Sequence, residues 1–264
     1  MHIICLVKFV PDVDNFRYDY ERHVLIRDQA QQILNPDDAA ALAYALRCKQ
    51  EREDVTVELV TMGPETVLDS VRDLLRCGVD GATILSDKQF AGSDTYVTSL
   101  VLGAYLKQSA FDLILTGTRA LDGDTAHVPA QAAEVLGIEQ MSHIKSFDEI
   151  RSDGEKVTFH VETEWEVLTY EMELPAVCSL TRDATYKLPY VRYDDLDLDV
   201  DDRIQILRND DLKLPSETLG IDGSLTRIAS AHTKELGARE QVVVQADDAG
   251  VETVYQFLRE KGYV

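Results

Sequence analysis

Basic residues are scarce in this chain: 26 lysines and arginines stand against 48 aspartates and glutamates, a formal net charge of −22 over 264 residues. A surface of that sign repels phosphate backbones and anionic headgroups at long range, which argues against nucleic acid or a membrane as partner. A bound nucleotide remains allowed, because oriented backbone N–H groups at a helix start hold a phosphate locally against an unfavourable global field. Cysteine is sparse too. Cys5, Cys48, Cys77 and Cys178 lie far apart, with no CxxC pair and no metal-type His/Cys spacing, and read as reduced thiols packed like small hydrophobes. His2, His23, His143, His160 and His232 likewise show no spacing for a metal site. There is no cationic leader with a cleavage site, and no apolar run nears the roughly 20 residues that span a bilayer. A cytoplasmic location without membrane insertion is therefore expected. Neither a glycine-rich dinucleotide fingerprint nor a Walker lysine motif occurs.

What is present is a regular alternation. His2 to Val7 is a short apolar strand, and Asn35-Pro36-Asp37-Asp38 opens an alanine-rich helix over residues 39–48, with Asn35 placed to cap it. Val55 to Thr61 is a β-branched strand broken by Met62-Gly63-Pro64, after which Val67, Val71, Leu74 and Leu75 follow a helical period. Ala82 to Leu85, a helix from Asp94 to Leu106, Leu113 to Thr116 and a helix from Val128 to Leu136 continue the pattern. Strands alternating with helices specify an α/β fold, a doubly wound and mainly parallel sheet with helices on both faces. Residues 156–161 and 167–172 alternate about a turn near Glu164 and form an antiparallel hairpin at the sheet edge, followed by a strand at 175–180. Past Tyr186 the texture turns acidic and irregular until a helical stretch from Val251 to Leu258. The expected organisation is thus a nucleotide-binding domain over residues 1–186 and an extended, partner-wrapping arm with a short terminal helix over 187–264.

Thr116-Gly117-Thr118-Arg119-Ala120-Leu121-Asp122-Gly123-Asp124-Thr125-Ala126-His127-Val128 lies between a strand and a helix, where ligands bind in open α/β sheets. Gly117 and Gly123 permit close backbone approach, Asp124 or Thr125 can cap, and the N–H groups of the new helix can face phosphate oxygens. On the residues alone, a plain Gly/Asp turn with an N-cap stands equally with a phosphate-holding loop. If the strands are parallel, this loop, the Asn35-Pro36 loop and the Met62-Gly63-Pro64 loop meet at one edge, around Leu6.

Val7-Lys8-Phe9-Val10-Pro11-Asp12, the Asn35-Pro36 loop with its helix, Val60-Thr61-Met62-Gly63-Pro64, Gly78-Val79-Asp80-Gly81-Ala82, the glycine/aspartate loop, Leu174-Pro175-Ala176-Val177 and Leu219-Gly220-Ile221-Asp222-Gly223-Ser224 occur in one order. In that order the chain resembles electron-transfer flavoprotein beta subunits over nearly its whole length. The resemblance implies a Rossmann-like, adenine-nucleotide-binding fold with the nucleotide ringed by Leu6, Asn35, Met62 and Gly117 through Val128. Such subunits hold AMP in simple electron carriers and FAD in electron-bifurcating ones. Asp122-Gly123-Asp124-Thr125-Ala126 looks like the FAD-holding version, which makes FAD the expected cofactor and AMP the alternative. The implied partners are an alpha subunit in a heterodimer, NADH as transient electron donor, a flavin-dependent dehydrogenase, and ferredoxin or flavodoxin as low-potential acceptor. Arg119, if it faces the pocket, would favour negative charge on a reduced flavin.

Three positions depart from the family pattern. His127 stands where glutamine is usual; Glu162 to Glu166 lacks the usual basic residue and glycine pair; and the stretch after Tyr190, lysine-rich in the simple carriers, is acidic here. The rival readings are a simple shuttle with AMP in this subunit, and a nucleotide-binding regulator of the universal-stress type, which shares the sheet architecture.

Overall fold

The computed structural model describes residues 1–12, 17–19, 24–26, 32–148, 155–227 and 243–264. The chain divides into two compact units, Met1–Arg227 and Ile228–Val264. In the first, β1 (His2–Leu6) is followed by four short strands: β2 (Phe9–Pro11), β3 (Arg17–Asp19), β4 (Val24–Ile26) and β5 (Gln32–Leu34). β2 pairs antiparallel with β5 and β3 with β4, which closes the excursion between β1 and α1 (Pro36–Glu51). Then come β6 (Thr56–Met62), α2 (Leu68–Arg76), β7 (Gly81–Leu85), α3 (Thr95–Leu106), β8 (Leu113–Gly117) and α4 (Val128–Leu136). β9 (Glu139–Phe147), β10 (Lys156–Glu162), β11 (Val167–Glu173) and β12 (Ala176–Leu180) precede β13 (Ile204–Leu207), α5 (Asn209–Leu212) and α6 (Gly220–Gly223).

The main sheet has nine strands in the order β11-β10-β9-β12-β8-β1-β6-β7-β13. β9 and all strands after it in that order pair parallel, while β10 and β11 form the expected antiparallel hairpin at the edge. Side chains alternate along β1. Ile3 and Cys5 face a core shared with Ala41, Leu42 and Ala45 of α1 and Val71 and Leu75 of α2; Ile4 and Leu6 face another built with Val97, Val101 and Leu106 of α3 and Ala133 of α4. A sheet covered on both faces requires strands that are apolar throughout, and β8 and β12 are buried at every position. Cys5, Cys48 and Cys178 are buried free thiols, as expected of small hydrophobes.

β9 escaped the sequence pattern because only Ile144 and Phe147 of its residues are buried, and because it bulges where His143 takes a φ of +62°. The stretch after Tyr186 differs more. Its residues 187–227 are part of the first unit: beside the Tyr186 hydroxyl, which accepts the Phe147 N–H at 2.8 Å, Arg72 pairs with Asp201 at 2.6 Å, Arg76 Nε donates to the Leu198 carbonyl, and β13 extends the sheet beside β7. Three of these four ties are made by side chains far away in sequence, so the acidic texture alone gave no sign of them.

In the second unit α7 (Asp248–Glu260) contains the expected terminal helix, with Asp247 at the N-cap accepting from Gly250 N at 2.8 Å. No helix among the described residues is long and apolar enough to cross a membrane.

Candidate nucleotide-binding site

β1 has β6 on one side and β8 on the other, and the chain winds outward from it in both directions. Such a switch point opens a crevice at the carboxyl ends of the strands. Leu6 is level with Val60 of β6 and Thr116 of β8 in parallel register, so the segments that follow β1, β6 and β8 do emerge at one edge.

The first turn of α1 organises that edge. Asp38 accepts Lys8 N at 2.8 Å and Gly117 N at 2.7 Å; Asp37 accepts Arg182 N at 2.9 Å and Arg119 N at 3.3 Å. Two adjacent carboxylates thus satisfy backbone donors at the ends of β1, β8 and β12, of which the Gly117 N–H is buried and the others partly so. Acidic side chains also suit the positive end of the α1 dipole. Asn35 occupies the N-cap position of α1 without a side-chain cap bond, contrary to the expected cap. Its amide grips the long loop instead: Nδ2 donates to the Arg119 carbonyl at 2.9 Å and Oδ1 accepts Leu121 N at 3.0 Å. The close fit explains Gly117, where a Cβ would lie 2.3 Å from Asp38 Oδ1 and 2.6 Å from Asp38 N. The close approach expected at that glycine is made by the protein's own helix.

Beyond Leu121 the loop stands clear of the fold. Asp122, Gly123, Asp124, Thr125 and His127 are exposed, Ala120 and Ala126 half-buried. A Cβ at Gly123 would meet nothing within 4 Å. Asp124 and Ala126 adopt φ of +50° and +55°, and a left-handed alanine costs about 1 kcal/mol or more. His127, not Asp124 or Thr125, is the N-cap of α4, and no side chain caps that helix. A left-handed residue followed by a helical one turns successive N–H groups toward one side, as in anion-binding nests. His127 Nδ1 lies 3.5 Å from Thr95 Oγ1, which links the loop to the start of α3.

The remaining expected residues fall into two groups. Leu6 is buried, with Met62 and Val128 packed against the same apolar cluster, so these three supply an apolar base near the loop. Thr118 is buried and held by Ser179 Oγ at 3.2 Å and Leu180 O at 2.8 Å, a structural role. Arg119 is exposed, with a guanidinium nitrogen 3.4 Å from Asp124 Oδ1. A second cation reaches the loop from outside it: Lys8 Nζ bonds both oxygens of Asp122 at 2.7 and 2.8 Å. Lys8, Asp37 and Asp38 were missed as site residues. The signal available was their place immediately after a strand and after Asn35-Pro36.

Elsewhere, His160 bridges Thr169 and Asp148, and no group of metal-binding type occurs among the described residues. His23 and His232 lie outside those residues. Trp165, at the hairpin turn, is 90% exposed.

The electron transfer flavoprotein domain matches residues 23–188. Over 265 residues, 100% of both chains, the sequence is 30% identical to the electron transfer flavoprotein subunit beta of Clostridium acetobutylicum. The chain belongs to the electron transfer flavoprotein family. It is also 32% identical over 229 residues, 86% of each chain, to subunit CarD of the caffeyl-CoA reductase-Etf complex of Acetobacterium woodii. With protein FixA of Azorhizobium caulinodans it shares 33% identity over 186 residues, 68% of this chain and 66% of the other. An electron transfer flavoprotein beta subunit serves electron transfer, and the clamp at α1 is the part of this one that shapes its loop.

Burial pushes the Asp38 carboxyl up to about 7 from 3.8, against the pull of the backbone N–H groups from Lys8 and Gly117. Folded protein therefore holds this proton more tightly than unfolded chain. The associated stability is complete below about pH 4 and lost as pH rises toward 7, a change on the order of 4 kcal/mol. Urea titrations of wild type and Asp38→Asn between pH 4 and 8 are expected to show the wild type losing its advantage over that window. Parallel profiles would contradict the assignment.

Proposed function

We propose that this beta subunit holds FAD on the 117–128 loop and, in a heterodimer with an alpha subunit, takes electrons from NADH. The complex passes them by bifurcation to a flavin-dependent dehydrogenase and to ferredoxin or flavodoxin. The observation that carries the reading is the loop itself: clamped by Asn35, Asp37 and Asp38 up to Leu121, then exposed, left-handed at two non-glycine residues and leading into an uncapped α4. Local strain of this kind persists where the surrounding structure enforces it, and it clusters at ligand-holding sites.

FAD, when bound, supplies the redox chemistry, and the protein's part is to bind, orient and tune it. In this reading the N–H groups of the loop and of the α4 start hold the phosphates. Leu6, Met62 and Val128 supply apolar contact, and Arg119, steadied by Asp124, favours negative charge on the ring. Residues 187–264 are the partner-facing part. Val251, Val254, Tyr255 and Leu258 recur at the spacing of one helix face on α7 and suit docking on another chain. Similarity to CarD of a caffeyl-CoA reductase-Etf complex and to the acryloyl-CoA reductase electron transfer subunit gamma of Anaerotignum propionicum supports a partner that, like those reductases, works with an electron transfer flavoprotein. Free cysteines among the described residues suit a reducing cytoplasm.

Nucleotide extraction from the purified heterodimer is expected to yield two FAD per pair. One FAD with one AMP would replace bifurcation by a simple shuttle. Gly123→Val supplies a second test, since a Cβ at this position would meet nothing within 4 Å and Gly123 has no left-handed φ. The variant is expected to keep the circular dichroism and melting of the wild type while losing its nucleotide. Full occupancy in that variant would reduce the loop to a turn.

A further inference from the structure

Lys8 belongs to none of the loops expected to surround the nucleotide, yet it is placed with unusual care. Its N–H is held by Asp38 at 2.8 Å and its carbonyl accepts Asn35 N at 2.9 Å, which fixes the root of the side chain at the switch-point strand. From that root the ammonium reaches both carboxylate oxygens of Asp122, next to Gly123. The pair is half-exposed, 48% for Lys8 and 34% for Asp122. As a staple it is worth little, typically below about 1 kcal/mol. Its electrostatic effect is larger than its stabilising one. A loop that receives a phosphate-bearing ligand carries two carboxylates, Asp122 and Asp124, and each is met by a cation, Lys8 and Arg119 respectively. Without those cations the loop would repel the ligand it is built to hold.

We propose that Lys8 is a phosphate-directed residue of the nucleotide site, parked on Asp122 and shared with the ligand's phosphates on binding. An ammonium is a point charge with three donors on a flexible stem, so it can retain Asp122 through one donor and turn another to a phosphate oxygen. The inference rests on the reading of the 117–128 loop as the nucleotide holder. It separates from that reading because it predicts opposite signs for the two partners of one ion pair.

The test is equilibrium binding of FAD, and separately of AMP, to the nucleotide-depleted heterodimer of wild type, Lys8→Met, Asp122→Asn and the double variant, at two salt concentrations. Lys8→Met is expected to weaken binding roughly 10-fold or more, the scale of a hydrogen bond to a charged group, and to flatten the salt dependence. Asp122→Asn, by freeing the ammonium, is expected to tighten binding about 3-fold, the scale of one exposed ion pair, and to do so much less when Lys8 is already methionine. Lys8→Arg should recover part of the affinity. If Lys8 only braces the loop, both single variants weaken binding and the double is no worse than either, which overturns the proposal. Unchanged affinity in Lys8→Met also overturns it. Failure of the wild type to bind either nucleotide would instead sink the assignment of the loop.

Discussion

Two carboxylates in the first turn of one helix hold the carboxyl edge of the sheet together. Asp37 and Asp38 take the N–H groups of Lys8, Gly117, Arg119 and Arg182, and so fix where the chain leaves three neighbouring strands. Buried backbone donors at strand ends need partners, and leaving one unmet costs roughly 1–3 kcal/mol. The arrangement works only if α1 approaches β8 without an intervening side chain, which Gly117 permits. Asn35 then continues the clamp by one more turn of loop, through Arg119 and Leu121. Past Leu121 the loop is exposed from Asp122 to Thr125 and returns to the fold at half-buried Ala126 and at Val128. An exposed segment on a braced stem suits the proposed nucleotide-holding role, since functional loops are carried on a rigid scaffold.

A chain of charge −22 can still accommodate the proposed anionic ligand at this edge. Long-range repulsion is screened over about 8 Å at physiological salt, whereas contacts at the loop act within hydrogen-bond distance. Along that loop each carboxylate is opposed by its own cation, and the positive end of α4 is left without a side-chain cap. Net charge therefore governs which large partners approach, and local geometry governs the small one.

Much of this was legible in the sequence because it rests on periodicity. Strands β1, β6, β7, β8 and β12 are short runs of apolar residues, α1 is rich in helix-forming alanine and α2 follows a 3.6-residue repeat, so the doubly wound sheet and its edge hairpin could be read directly. Gly117 and Asn35 were readable as residues of consequence, though not for the right contacts. Asn35 reads as a cap until the loop 84 residues further on is seen in its amide's grasp. Asp37 and Asp38 read as helix-start acids, and only the fold brings Arg182, 145 residues away, to Asp37. β13 and the docking of residues 187–227 were hidden for a related reason: Arg72–Asp201 and Arg208–Glu65 are pairings of surface charges, which carry no period.

The central claim is that α1 shapes the loop before any ligand arrives. Residue-resolved hydrogen exchange on the heterodimer, before and after removal of its nucleotide, tests this most directly. The account predicts that the amides of Lys8, Gly117, Arg119, Leu121 and Arg182 stay protected in both states, while those of Gly123, Thr125 and Ala126 are protected only with nucleotide present. Rapid exchange at Gly117, Arg119 and Leu121 in the nucleotide-free complex would show that the ligand, and not the clamp at α1, builds the site.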